Sequence, residues 1–223
     1  MNDASSNIVL LFCTRVIRLF AYGFISVVLA LYLAATGLSP AGVGAILSAT
    51  LAGDIAVSLG VTVVADRVGR KKMLVFGAIL MVLSGLAFLA TTDPLWITLA
   101  AIIGIVSPSG GEIGPFLSIE QAALSQLLAD HRRTRIFGWY NLAGSFATAA
   151  GALAGGWLAQ LLQTLGWSGL DAYRHIMAGY AVCGLAMAVL FMFLNRDIEI
   201  SGTIAPEEDR KSTRLNSSHE WIS

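Results

Sequence analysis

The sequence has little charge and few of the residue types that carry catalytic chemistry. Only 13% of its 223 residues are charged, against about 25% in a typical soluble domain, while 56% are hydrophobic. The formal net charge is +0, so neither a basic nor an acidic excess is present. This composition indicates a membrane protein rather than a soluble globular domain. The net charge says nothing about nucleic acid, but no basic patch occurs outside the loops, so we predict no nucleic-acid partner.

Histidine and cysteine are also scarce, which argues against an enzyme. The three histidines, His131, His175 and His219, lie at the ends of apolar segments or in the C-terminal tail. None is therefore placed within an apolar segment beside a serine or a set of metal ligands. Cys13 and Cys183 lie in apolar stretches and are predicted to be small packing residues. We predict no catalytic residue, no metal and no cofactor.

Long apolar segments dominate the chain. A helix needs about 20 apolar residues to cross a bilayer. Six candidate spans of this kind occur, at 8–36, 41–65, 73–91, 95–127, 136–165 and 176–194. The first is too long for a signal peptide and is interpreted as a retained span. The sequence therefore predicts an all-α, polytopic membrane protein with six transmembrane helices.

Basic residues follow every second span. They occur at 67–72 and at 132–135, whereas the linkers at 37–40 and 92–94 have none and the linker at 166–175 has only Arg174. Cytoplasmic loops carry an excess of lysine and arginine. We therefore expect both basic loops and both termini to be cytoplasmic, in a cell membrane.

The first basic loop has a specific order of residues. Asp66, Arg67, Gly69, Arg70 and Lys71 form the order Asp-Arg-x-Gly-Arg-Lys between the second and third spans. This order resembles the signature loop of the major facilitator superfamily of transporters, roughly Gly-x-x-x-Asp-Arg-x-Gly-Arg-Arg/Lys, although threonine replaces the opening glycine. An ordinary basic cytoplasmic loop is the alternative. We predict a gating loop in which Asp66 pairs with Arg70.

The resemblance implies the N-terminal half of a twelve-helix fold at 8–195. In that fold the substrate site lies between two six-helix halves and opens alternately to each side. The implied function is secondary active transport of a small solute, and the implied partners are the bilayer, a missing C-terminal half and a small-molecule substrate. The alternative is a six-helix membrane receptor or assembly partner without transport activity.

The chain ends are predicted to lie outside this half-domain. Residues 1–7 form a cytoplasmic N-terminus and 196–208 a cytoplasmic linker. From Asp209 onward the sequence resembles the in-frame translation of a common sequencing adapter. We therefore expect 209–223 to be an artefactual tail and leave it out of the fold.

The fourth span contains an irregular segment. Residues 107–115 read Ser-Pro-Ser-Gly-Gly-Glu-Ile-Gly-Pro, which is incompatible with an ordinary helix. At membrane depth, irregular backbone is tolerated where it is buried in protein or lines a cavity. Interrupted spans of this kind point to binding sites in transporters. The alternative is a loop between two shorter segments. Glu112 lies inside the interruption, and Glu120 follows it two turns later.

Polar residues within the other spans are the remaining site candidates. Arg15, Arg18, Tyr22 and Ser26 lie at helical spacing on one face of the first span, unless the arginines reach to the headgroups instead. Asp54 lies near the middle of the second span, where a carboxylate costs about 2.5–3.5 kcal/mol on insertion scales. The alternative role for Asp54 is that of a structural carboxylate bonded to Thr50, Ser58 or a neighbouring helix.

Matching depths in the membrane suggest how these residues meet. At about 1.5 Å per residue, Arg18 and Glu112 lie about 6 and 9 Å below the middles of their spans. We predict that Arg18 and Glu112 face each other, with Tyr22 and Asn141 beside them and Asp54 in the same polar layer. These five residues are the substrate- and ion-binding candidates.

Glycines in the fifth span complete the pattern. Gly144, Gly151, Gly155 and Gly156 all occur there, with Thr148 between the first two. Small residues at such spacing allow the backbones of two helices to approach closely. We predict helix packing as their role.

Overall fold

The computed structural model describes residues 3–104, 106–107, 115–195 and 198–199, and all regular structure within these ranges is helical. Five helices are long and apolar enough to cross a membrane, and one shorter helix is apolar as well. The predicted all-α, polytopic membrane fold is confirmed. The helices are α1 (Asp3–Ala35), α2 (Pro40–Val68), α3 (Arg70–Ala90), α4 (Pro94–Ile103), α5 (Pro115–Leu127), α6 (Asp130–Thr164) and α7 (Gly169–Met192).

Local sequence signals explain several helix ends. Ser39 caps α2, because its side chain accepts the backbone N–H of Gly42 at 3.2 Å, and Pro40 follows as the first helical residue. Asp93 caps α4 in the same way, accepting a backbone N–H at 2.8 Å. Gly69 separates α2 from α3 with a φ of 107°, a conformation that residues with a side chain rarely adopt.

The fourth predicted span consists of two helices, α4 and α5. The first ends at Ile103, and the second begins at Pro115. Between them, Gly104 and 106–107 are described and are not helical. Glu112 lies outside the described residues. The two helices end and begin beside the prolines and glycines that are poor helix formers.

Helix α1 lies at the centre of the bundle. It packs most extensively against α6 and next against α7, while α3 packs against α7 and α2 packs mainly against α4. The basic residues at 67–72 and 132–135 lie at the same end of the bundle, because Arg70 binds Gln126 and Arg133 binds Ser125, both near the end of α5. We call this the basic end. The segment that follows α7 is bound there as well, through Lys71.

Glycine permits the close contact between α1 and α6. A Cβ atom added to Gly151 would collide with the carbonyl oxygen of Phe20, and one added to Gly155 would collide with that of Phe24. Gly156, one residue further on, has no such contact, since its nearest neighbour would lie at 3.9 Å. The helix packing predicted for the fifth span is thus observed at these glycines, with Gly156 as the exception.

Candidate functional site

A buried ion pair joins α1 to α5 in the interior of the bundle. Arg18 donates from Nη1 and Nη2 to Oε1 and Oε2 of Glu120 at 2.6 and 2.7 Å. Both side chains are 0% exposed. This bidentate arrangement is the strongest form of arginine–carboxylate contact. Removing either partner would leave a buried charge uncompensated, so the pair is costly to break.

Glu120 accepts two further hydrogen bonds. The Tyr140 hydroxyl of α6 donates to Oε2 at 2.5 Å. The Thr14 hydroxyl lies 3.4 Å from Oε1 and 3.1 Å from the carbonyl oxygen of Leu11, so its single proton is shared between them. One carboxylate therefore binds side chains from both α1 and α6. A substitution at Glu120 would therefore remove contacts of α5 with both α1 and α6.

Arg15 extends this network toward the basic end. Its Nη2 donates to Oδ1 of Asn141 at 3.0 Å, and its guanidinium carbon lies 4.1 Å from the centre of the Tyr140 ring, which is a cation–π contact. Gly144 leaves space for the Arg15 side chain, since a Cβ at position 144 would lie 2.8 Å from Nε of Arg15. Arg15 and Arg18 are 5% and 0% exposed, so both point into the bundle rather than along its surface.

Asp54 on α2 is a second buried polar residue of the bundle. Its side chain is 0% exposed, and neither carboxyl oxygen has a hydrogen-bond partner in the described part of the chain. Thr50 donates to the carbonyl oxygen of Ile46 at 2.8 Å rather than to Asp54. The structural alternative of a bonded carboxylate is thus not what the structure shows.

The structure brings only some of the predicted candidates together. Asn141 belongs to the network of Arg18, through Arg15, and Tyr22 and Asp54 are both buried in the bundle. Glu112 is outside the described residues, so its pairing with Arg18 stays a prediction. The carboxylate that the structure places against Arg18 is Glu120. Its signal in the sequence was similar to that of Glu112, because both are acidic residues within the fourth apolar span.

At the basic end, the connection between α2 and α3 is bound to the segment after α7. Lys71 donates from Nζ to the carbonyl oxygens of Met192 at 2.8 Å and Leu194 at 2.7 Å. Glu199 accepts the backbone N–H groups of Arg70 at 2.7 Å and Lys71 at 3.2 Å. A cation thus lies at the C-terminus of one helix and a carboxylate at the N-terminus of another, where each is electrostatically favoured.

The Arg70 side chain completes this binding. It is 7% exposed and donates to Oε1 of Gln126 at 2.8 Å and to the carbonyl oxygen of Ile198 at 3.2 Å. Arg67 is exposed. The side chain of Asp66 lies outside the described residues, so its pairing with Arg70 stays a prediction. The loop therefore joins α3, α5 and the end of α7.

Residues 11–220 match the family model described as Major Facilitator Superfamily. YJR124C, an uncharacterized membrane protein of Saccharomyces cerevisiae, is 35% identical over 201 residues, which cover 89% of this chain and 45% of that protein. Multidrug resistance protein MdtH of Photorhabdus laumondii is 35% identical over 111 residues, which cover 49% of this chain and 26% of that protein. The chain thus spans less than half the length of either relative.

Solved structures resemble the whole bundle. A crystal structure of a D-xylose–proton symporter matches 95% of this chain and 52% of its own, with a TM-score of 0.68 and 17% identity. The inward open conformation of the xylose transporter XylE from E. coli matches 99% of this chain and 58% of its own, with a TM-score of 0.64 and 15% identity. At these identities the likeness shows the fold alone.

Proposed function

Because this chain belongs to the major facilitator superfamily, we propose that it is the N-terminal six-helix half of a secondary active transporter. Such a transporter moves a small solute by alternating access, around a site near the middle of the membrane. The observation that carries the proposal is the buried Arg18–Glu120 pair within a bundle of membrane-length helices. Intramembrane charges of this kind mark substrate and ion pathways.

A second six-helix half would complete the transport path. The chain spans 45% of the yeast relative and 52% of the D-xylose–proton symporter. Among the long helices, α2 is the least buried, since only 18% of its apolar 18-residue stretch lies inside the bundle. Ile55, Leu59 and Val63 on this helix are exposed. The exposed face of α2 is therefore the surface proposed to pack against the second half.

The proposed binding site comprises Arg18, Tyr22, Asp54 and Asn141, with Glu112 from the interrupted span. Arginine and carboxylate groups together suit a polar solute, since each offers directed hydrogen bonds in a site of low dielectric. D-xylose is the solute named for the symporter and drugs are implied by the name MdtH, and both describe those proteins. A screen must therefore include sugars, organic cations, organic anions and peptides.

Uptake by the full-length protein tests the proposal. Expressed in cells that lack their own uptake of these compounds, it should move at least one class across the membrane. Asp66→Asn should lower the transport rate while leaving membrane insertion intact, because it removes the carboxylate of the gating loop. A protein that inserts and folds yet moves none of the compounds would favour the receptor or assembly role instead.

Accessibility labelling tests the orientation in the cell membrane. Single cysteines are introduced into an otherwise cysteine-free full-length protein. Those at Lys71 and Arg133 should react only from the cytoplasmic side, since basic loops are retained there. Those at Pro40 and Asp171 should react from outside. Labelling of the Lys71 position from outside would contradict the proposed topology.

A further inference from the structure

A groove between α3 and α4 is separate from the network of Arg18. It has a volume of about 540 Å³, within the range of about 300–1,000 Å³ that is common for small-molecule sites. Its walls are largely apolar and include Leu80, Leu83, Ala87, Trp96, Leu99 and Ile103. Leu83, Trp96 and Ile103 are each 50% or more exposed, so the groove opens at the surface of the bundle.

The groove lies in the half of α3 that is remote from the basic end. Helix α3 runs from Arg70, at the basic end, to Ala90, and its groove residues all come from Leu80 onward. At about 1.5 Å per residue, Leu80 lies about 15 Å from Arg70 along a helix about 32 Å long. Because the groove opens along the side of two apolar helices, a molecule would enter it from the bilayer rather than from water.

A buried hydroxyl group lies on the inner wall of the groove. Ser84 is 3% exposed, lines the groove, and has no hydrogen-bond partner for its Oγ among the described residues. This oxygen lies against the end of α4, since a Cβ added to Gly104 would come close to it. A buried polar group without a partner is unfavourable. A ligand that brings a hydrogen-bonding atom to Ser84 would remove this cost.

The charge around the groove favours an uncharged ligand. Ser84 and Thr91 are the polar side chains that line it, and no charged side chain among the described residues does so. The connection between α3 and α4 has one ionisable residue, Asp93, whose carboxylate caps α4. A charged ligand would therefore find no opposite charge in the groove, and a phosphate headgroup at its outer end would lie near a carboxylate.

We therefore infer that this groove binds an uncharged, largely apolar small molecule that has one hydroxyl or carbonyl group and arrives through the bilayer. Its apolar body lies against Leu83, Leu99 and Ile103, and its polar atom forms a hydrogen bond with Oγ of Ser84. The acyl chain of a phospholipid fits less well, because it has no polar atom to offer Ser84. The inference does not depend on the proposed transport function, since neither Arg18 nor Asp54 lines the groove.

Photolabelling of the full-length protein in lipid nanodiscs tests the site. The probes are octanol and octane, each carrying a diazirine, and peptide mass spectrometry locates the attached label. Relative to labelling around Leu153, which is exposed on α6, the octanol probe should label 80–104 about fivefold more strongly than the octane probe, as one additional hydrogen bond allows. Unlabelled octanol should compete with it. Equal labelling by both probes, or labelling without competition, would mean partition into the bilayer alone and would overturn the inference.

Two variants and a control assign the label to the groove. Ser84→Ala should lower octanol labelling to the octane level and leave octane labelling unchanged, because only the hydroxyl group is lost. Leu83→Trp should fill the groove and abolish labelling by both probes, whereas Leu153→Trp, on the exposed face of α6, should not affect it. Octanol labelling that is unchanged in Ser84→Ala would contradict the inference. Absence of labelling in the unmodified protein would show that the groove is covered and would also reject it. Because uptake is not measured, failure of the transport function would leave these results standing.

Discussion

Helices α1 and α2 are both apolar and long enough to span a membrane, yet their buried charged residues differ in whether they have a partner. In α1, 61% of the apolar 18-residue stretch is buried inside the bundle, against 18% of the corresponding stretch in α2. Arg18 of α1 has a bidentate partner in Glu120, whereas Asp54 of α2 has no hydrogen-bond partner in the described ranges. The two side chains are equally buried, at 0% exposure.

This difference separates a buried charge that is compensated within the half from one that has no hydrogen-bond partner among the described residues. A buried pair with additional hydrogen bonds is compensated where it stands, so its loss should weaken the fold. A buried carboxyl group without partners contributes no hydrogen bond that a substitution could remove. The two sites should therefore respond differently to the same kind of substitution, with large effects at the pair and small ones at Asp54.

The largest effect is expected for Glu120→Gln in the full-length protein. The change leaves Arg18 as an uncompensated buried cation, so the free energy of unfolding should fall by about 3–5 kcal/mol. Thermal and denaturant unfolding in detergent measure it. Asp130→Asn is the control, because its pair with Arg133 is exposed and should contribute less than about 1 kcal/mol. Similar losses in the two variants would show that the buried pair has no special role.

A smaller loss is expected for Tyr140→Phe, which removes the hydroxyl that donates to Glu120 at 2.5 Å. Hydrogen bonds to charged groups contribute about 1.5–3 kcal/mol, so the unfolding free energy should fall by that amount. Tyr173→Phe on α7 is the comparison, because the Tyr173 hydroxyl makes no hydrogen bond among the described residues. An equal or larger loss for Tyr173→Phe would contradict the ranking.

The scaffold that positions Arg18 can be tested through its glycines. Gly151→Ala places a Cβ against the carbonyl oxygen of Phe20 and should destabilise the protein by about 1–3 kcal/mol, as overpacking does. Gly156→Ala on the same helix meets only an atom at 3.9 Å and should be neutral or stabilising by up to about 1 kcal/mol. The same melting assay compares them. Equal effects would mean that backbone contact with α1 does not matter.

The smallest effect is expected for Asp54→Asn. No hydrogen bond to Asp54 is lost, and an amide replaces a carboxyl group of nearly the same shape, so the unfolding free energy should change by less than about 1 kcal/mol. Differential scanning measurements at neutral pH check this. A loss as large as that of Glu120→Gln would show that Asp54 has a structural partner, and the contrast between α1 and α2 would disappear.

Much of the fold was predictable, because hydropathy and capping are local properties. The Ser39 cap, the turn at Gly69 and the interruption before Pro115 can each be recognised within a few residues. The partner of Arg18 was not predictable in the same way. Counting about 1.5 Å per residue holds only for helix, and the count toward Glu112 passes the end of α4 at Ile103.

Which neighbouring helix each polar residue of α1 contacts could not be predicted from the sequence either. Arg15 and Arg18 lie about one turn apart on α1, yet Arg15 binds Asn141 of α6, whereas Arg18 binds Glu120 of α5. Helical spacing places both on one face but does not tell which neighbouring helix each will meet. That choice depends on the packing of α5 and α6 against α1, which in turn depends on where glycine permits close approach.

By itself, the sequence determined that this is an all-helical membrane protein and where its interrupted span lies, because each of these follows from short stretches of residues and their solvation. Only the tertiary structure decided that Arg18 meets Glu120, 102 residues away, and that Asp54 meets no partner in the described residues. Such contacts depend on the rotation and depth of whole helices. Those are set by side-chain packing across the bundle rather than by any local pattern.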